Sequence, residues 1–350
     1  MRVHGGNVWQ GRAPEDWLDF SANLRPGGAP AWVREALRGA IGLAAYYPDP
    51  TMRAARDALG SFLGVGSDWA LPTAGGVSAI DLAARLPVRG MLTFAPCFGE
   101  YARAAERQGI SLQIVPLLDG ARNLLRPSEA LADHDVADRA VWLCTPLNPI
   151  GIAFPESEIA ALLDRVEAEG GWLVLDEAFI HCCPERSSIH LLERHPRLLI
   201  AGSLTKSLGI PGVRLGYLSA HPDLLRTLAD RQHTWELNCF AEAVLLRLPA
   251  HAEELRAEAK ENALRRAALR GGLERLGTRV YPSESNFLLA DFKRSVAPIA
   301  VRLKARGILV RECMDFSKIN DGQHLRLAVK DEAANARLIE ELERILRTDQ

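Results

Sequence analysis

Ser203-Leu204-Thr205-Lys206-Ser207-Leu208-Gly209-Ile210-Pro211-Gly212-Val213-Arg214-Leu215-Gly216-Tyr217 is the stretch on which the reading of this chain turns. An apolar run at 198–201 leads into it and predicts a buried strand, and Leu215-Gly216-Tyr217 opens a second. Lys206 therefore lies between two apolar strands, where it is solvated, salt-bridged, or kept for its amine. Lysines are mostly exposed, so in this window alone a solvated loop is the plainer reading. A lysine desolvated near other cations instead loses its proton readily and attacks carbonyl carbons. Ser203 and Thr205 offer two hydroxyl donors and Arg214 a guanidinium fork, a set suited to a phosphate.

The totals set the frame. At 350 residues the chain is long for one domain, so two unequal domains are expected. With 48% apolar residues it can bury a large core, and its net charge of -2 argues against a nucleic-acid footprint or a polybasic membrane patch. Six cysteines (Cys97, Cys144, Cys182, Cys183, Cys239, Cys313) show no CxxC pair and no metal-type spacing, and read as reduced thiols. Met1-Arg2-Val3-His4-Gly5-Gly6-Asn7 lacks an apolar signal core, and no run is long enough to span a bilayer, so a cytoplasmic location is expected.

Residues 1–30 are rich in Gly and Pro and predict an irregular arm with one short strand, a stretch that is ordinarily frayed. Helices are expected at 30–45, 52–63, 102–108, 159–169, 222–233 and 335–347, and along an Ala/Glu/Arg/Leu-rich stretch from about 240 to 276. Strands are expected at 91–95, 111–116, 140–144, 172–175, 310–313 and 324–329, and at the end of 281–289. Three motifs sit after predicted strands and a fourth opens a helix. Leu71-Pro72-Thr73-Ala74-Gly75-Gly76-Val77 opens a helix, where bare backbone N–H groups make an anion cup. Pro96-Cys97-Phe98 carries an aromatic that is a core residue in most proteins. Asn148 follows 140–144, and Asp176 ends 172–175, where open α/β sheets bind ligands. Arg311 and Arg326 lie in predicted strands, where arginines are usually solvated at an edge.

Asn148, Asp176, Lys206 and Arg214, in that order and each after a strand, resemble the site of fold type I pyridoxal-phosphate enzymes, the class I/II aminotransferase family. The resemblance covers nearly the whole chain and is strongest to the branch holding histidinol-phosphate aminotransferases and threonine-phosphate decarboxylases. It implies an α/β, aspartate-aminotransferase-like fold: a large domain with a mixed, mostly parallel sheet under helices, and a smaller α+β domain. The boundaries expected are 1–45 for an arm packing with the small domain, 46–240 for the large domain and 241–350 for the small one.

It further implies that Lys206 forms a Schiff base with pyridoxal 5'-phosphate, that Asp176 pairs with the ring nitrogen, and that Asn148 bonds the phenolic oxygen. Phe98 would stack on the ring. Gly75, Gly76, Val77, Ser203, Thr205 and Arg214 would hold the phosphate, with Tyr47 of Tyr46-Tyr47-Pro48-Asp49-Pro50 reaching in from a second subunit of a homodimer; a tyrosine at a turn is otherwise only a cap. Asn23 of Phe20-Ser21-Ala22-Asn23-Leu24-Arg25-Pro26, His4, Asn148, Arg311 and Arg326 would take a small phosphorylated amino acid. Trp235-Glu236-Leu237-Asn238 matches the family's Trp-x-x-Asn, against a plain buried tryptophan at a helix junction. Departures are Arg25 for Asn, Ile150 for Thr, Phe179 for Tyr and a looser Ala74-Gly75-Gly76 cup. His4-Gly5-Gly6-Asn7, Phe20-Ser21-Ala22-Asn23 and Asp176-Glu177-Ala178-Phe179-Ile180 tilt the expectation to decarboxylation of L-threonine O-3-phosphate, a step toward the cobalamin nucleotide loop. Histidinol-phosphate transamination is the alternative, and a non-catalytic module binding the same cofactor is a third reading.

Overall fold

The computed structural model describes residues 5–347. In chain order the elements are β1 (Leu18–Asp19), α1 (Ala31–Gly39), α2 (Arg53–Leu63), β2 (Ala70–Thr73), α3 (Gly76–Ala83), β3 (Gly90–Ala95), α4 (Glu100–Gln108), β4 (Ser111–Pro116), α5 (Pro127–Leu131), β5 (Arg139–Cys144), α6 (Glu156–Ala168), β6 (Trp172–Glu177) and β7 (Leu198–Ser203). They continue as β8 (Gly216–Ala220), α7 (Pro222–Ala229), α8 (Cys239–Arg247), α9 (Ala252–Arg275), β9 (Arg279–Val280), β10 (Phe287–Asp291), α10 (Ala297–Ala305), β11 (Ile308–Leu309), β12 (Arg311–Glu312), β13 (His324–Ala328) and α11 (Glu332–Arg347).

A seven-stranded sheet runs in the order β2-β8-β7-β6-β5-β3-β4. Only β8 is antiparallel to its neighbours. The inner strands are buried on both faces, which is why they read as unbroken apolar runs rather than alternating ones. Parallel strands end on the same edge, so the segments after β2, β3, β5, β6 and β7 converge there. That edge carries Gly76, Phe98, Asn148, Asp176 and Lys206.

A second, four-stranded sheet runs β12-β13-β10-β9 and has its own core, including Leu288, Leu325, Leu327, Leu338 and Leu342. Helix α9 joins the two bodies: Leu255 packs in the larger core, Leu269 and Leu273 in the smaller. The arm divides in the same way. β1 pairs in parallel with β11 and Phe20 enters the smaller core, while Trp32, Val33 and Ala36 of α1 pack in the larger one.

Some expectations shift. The helix expected at 30–45 ends at Gly39 and continues as a tighter turn, Ile41–Ala45. The helix expected at 222–233 stops at Ala229. The strand expected at 310–313 shortens to β12, and β11 precedes it without an expectation; β11 serves the arm and β12 serves β13, because the chain changes partners at Val310. Helices α5 and α10 had no expectation. The arm is packed from its first described residues, where Gly6 N–H donates to Ser21 Oγ at 2.8 Å. All six cysteines are free. Among the described residues no helix is long and apolar enough to cross a membrane.

Candidate active site

The converging strand ends enclose a cavity of about 400 Å³ roofed by the arm. Gly76, Val77, Phe98, Asn148, Asp176, Ser203, Thr205, Lys206 and Arg214 line it, with Asn23, Arg311 and Arg326 on the arm and small-sheet side. Twelve of the sequence-predicted residues thus meet in one space. His4 lies outside the described residues.

Lys206 follows the last residue of β7 by three positions, and Arg25 N–H donates to its carbonyl at 3.1 Å, tying the arm to the lysine loop. Burial pushes its ammonium down to about 8, aided by the charges of Arg326 and Arg214 and opposed by Asp176. As the pH rises through that value the amine becomes neutral and nucleophilic; an ordinary lysine does so only near pH ~10.4. The solvated-loop reading of Lys206 is therefore set aside.

Asp176 is 4% exposed at the end of β6. Burial raises its acid, while donors lower it: Tyr101 Oη at 2.5 Å and the Ala178 N–H at 2.9 Å, with Lys206 adding a charge. Burial outweighs these donors, so the acid stands above the usual carboxylate range, and Tyr101 and Ala178 are what favour its charged form in a dry place. Tyr101 was not singled out in the sequence, because its partner lies 75 positions away. A tyrosine three residues after Phe98, on the first turn of α4, is the only signal it leaves.

The anion cup forms where β2 turns into α3. Gly75 has φ +88° and a Cβ there would lie 2.7 Å from Arg214 Nη2, so only glycine lets the guanidinium lie against the turn. Gly75 backs the cavity rather than lining it. Glu236 fastens this turn by accepting from Ala74 N–H at 2.9 Å and from the Ser78 hydroxyl. This is what the Trp-x-x-Asn segment does here: Glu236 clamps the cup, and Asn238 caps α8 through the Phe240 and Ala241 N–H groups and donates to Val213 O. The buried-tryptophan reading fails, since Trp235 is 46% exposed and stacks on Tyr47 at 4.4 Å between ring centres. Tyr47 is 79% exposed and does not line the cavity of its own chain.

Arg326 and Arg311 are register partners on β13 and β12, both buried. Arg326 donates to Asn148 Oδ1 at 2.8 Å and Ser21 O at 2.9 Å, while its Nε has no partner. Arg311 donates to Asp315, a cavity residue the sequence did not disclose. Both polar atoms of the Asn23 side chain are buried without a partner. The departures are local. Arg25 turns away to Glu258 at 3.2 Å, Ile150 is buried outside the cavity, and Phe179 packs edge-on against Phe287.

The sequence profile of the family Aminotransferase class I and II matches residues 15–342. The threonine-phosphate decarboxylase of Salmonella typhimurium is 32% identical over 98% of this chain and 96% of its own length. A histidinol-phosphate aminotransferase of Symbiobacterium thermophilum is 31% identical over 95% of this chain and 91% of its own. The crystal structure of histidinol-phosphate aminotransferase from Sinorhizobium meliloti in complex with pyridoxal-5'-phosphate superposes with a TM-score of 0.82 at 21% identity, covering 94% of this chain and 90% of that one.

Proposed function

The chain belongs to the class I and II aminotransferase family and its cofactor is pyridoxal 5'-phosphate; from that premise we propose that it releases carbon dioxide from L-threonine O-3-phosphate, leaving an aminopropanol phosphate. The residues suit the cofactor. The free N–H groups at the start of α3, Ser203, Thr205 and Arg214 supply donors for its phosphate, Asp176 a buried carboxylate for its ring nitrogen, Phe98 a flat apolar face, Asn148 a donor for the phenolic oxygen, and Lys206 the amine. When bound, the cofactor supplies an electron sink for charge left on the substrate's Cα.

The observation that carries the reading is the pair of buried arginines on adjacent strands beside Lys206. Two guanidinium groups match a substrate with two anions on one small skeleton, a carboxylate and a phosphate. Arg326, steered by Asn148 and the Ser21 carbonyl, holds the carboxylate. Arg311 takes the phosphate, and the open polar atoms of Asn23 complete the grip. Held at both ends, the substrate is fixed in one orientation in the cavity, and the bond to the carboxylate gripped by Arg326 is the one that breaks. The carboxylate carbon leaves as carbon dioxide and the electron pair stays on Cα. Lys206 Nζ, within the same cavity, returns a proton to Cα.

Histidinol phosphate carries one anionic group and no carboxylate, which leaves Arg326 idle in that half of a transamination. The similarity to a histidinol-phosphate aminotransferase keeps this as the second reading. Incubation of the loaded protein with threonine phosphate and no keto acid is expected to yield carbon dioxide and an aminopropanol phosphate, and Lys206→Ala to yield neither. Amino transfer from histidinol phosphate to 2-oxoglutarate, without carbon dioxide from threonine phosphate, would overturn the proposal. The exposed Tyr47–Trp235 pair is read as the face that completes the cup of a second copy in a homodimer; sedimentation as a monomer at assay concentration would remove that reading.

A further inference from the structure

Arg311 already has an anionic partner. Its Nη2 donates to both carboxylate oxygens of Asp315, each at 2.6 Å, its Nη1 donates to the Glu312 carbonyl at 3.0 Å, and its guanidinium carbon lies 5.4 Å from the centre of the Phe316 ring. The two members of the pair sit differently. The Arg311 side chain is 7% exposed, whereas that of Asp315 is 42% exposed. Asp315 lines the cavity from the loop between β12 and β13. That loop is pinned close by: Phe316 and Ile319 are 4% and 1% exposed and belong to the larger core.

The carboxylate can therefore rotate into water about its own side-chain bonds while the loop stays where it is. A half-exposed acid loses little solvation in either position. The arginine cannot follow, because it is buried against Phe316 and the Glu312 carbonyl. An anion that enters the cavity thus meets a fixed cation covered by a movable one-charge cap. A neutral group does not disturb the pair. A singly charged group only replaces one carboxylate by an equivalent charge. A phosphate monoester brings nearly two charges and three acceptor oxygens, and near a protein surface the extra charge at about 4 Å is worth more than tenfold in binding.

We propose that Asp315 is an internal competitor for Arg311, a specificity-determining residue that sets the charge an incoming group must carry to occupy the distal end of the site. The inference rests on the reading above that this end takes a phosphate, and it adds why weaker anions are kept out. The same rotation, run backwards, returns Asp315 to Arg311 as a phosphorylated product leaves.

The competitor predicts the opposite sign from a supporting role. If Asp315 merely positioned Arg311, removing its charge would weaken anion binding; if it competes, binding tightens. The probes are isopropyl phosphate and isopropyl sulfate, which share a shape, differ in charge and lack the amine needed for turnover. Calorimetry on the cofactor-loaded protein is expected to show that Asp315→Asn binds isopropyl phosphate roughly three- to tenfold more tightly than the native protein. Isopropyl sulfate passes from undetectable to measurable, and Asp315→Glu, which keeps the charge, behaves as native. Thermal melting checks the fold, and Asp315→Ser replaces Asp315→Asn should the latter not fold. Unchanged or weaker binding in the uncharged variants, or equal affinity of the native protein for both esters, overturns the proposal. Neither probe is a substrate, so the two readings separate. If threonine phosphate is not decarboxylated but the tightening is seen, the reaction falls and the competitor stands; the reverse result removes the competitor alone.

Discussion

Tyr101 and Asp176 show how single residues make this site. A carboxylate with almost no exposure to water survives there only if donors surround it, and Tyr101 is the side-chain donor. Tyr101→Phe keeps the ring that packs at 5.5 Å from Trp142 and removes only the hydroxyl. A hydrogen bond to a charged group contributes about 1.5–3 kcal/mol, so the variant is expected to bind the cofactor roughly ten- to a hundredfold more weakly with its fold intact. Titration of the apoprotein followed by absorbance measures this; an unchanged affinity would mean that the Ala178 N–H suffices. Among single residues the sequence was legible wherever a residue type carries its own chemistry in a short motif, as Lys206, Asp176, Asn148 and Arg214 do. It was silent on Tyr101, Glu236 and Asp315. The first two act on partners 75 and 162 positions away, and the third is one of the chain's 44 acidic residues, on a loop with no motif around it.

Among the elements, β7 and β8 bring Lys206 to the sheet edge, and Gly202 sets their packing. A Cβ on Gly202 would fall 2.0 Å from the Tyr217 ring, in a strand buried on both faces. Neither the ring nor the ladder has room to yield. Gly202→Ala is therefore expected to destabilise the protein by about 1–3 kcal/mol or more. Gly212→Ala, which meets nothing within 4 Å, is the matched control with no change. Chemical denaturation of both variants decides it, and equal midpoints would refute the packing argument. Buried strands were legible because parallel strands covered on both faces must be apolar throughout. Boundaries were less so. The split of 308–312 into β11 and β12 depends on which strands lie alongside, and no local propensity records that.

In the molecule as a whole, the arm joins the two cores to the site. Phe20 is fully buried in the smaller core, its N–H donates to Leu309 O at 2.8 Å, and its carbonyl accepts from Ala328 N–H at 2.9 Å. The next three residues, Ser21, Ala22 and Asn23, line the cavity. Phe20→Ala leaves a large void and is expected to cost about 3–5 kcal/mol. Because the residues proposed to hold the cofactor sit on the large sheet, the variant should keep its absorbance while the KM for substrate rises. Loss of cofactor and substrate binding together would show that the arm supports the whole site instead.

The order of amino acids is enough for the family resemblance, the cofactor and the chemical inventory of the site, because the amine, the carboxylate and the anion cup must each follow a strand in short, type-specific motifs. Folding alone specifies which partners hold those groups: Tyr101 on Asp176, Glu236 on the cup, Asp315 on Arg311, and the arm over them all. Apolar runs and motif residues state their own burial and chemistry. A hydrogen bond or ion pair across the fold exists only once packing has brought its two ends within about 3 Å.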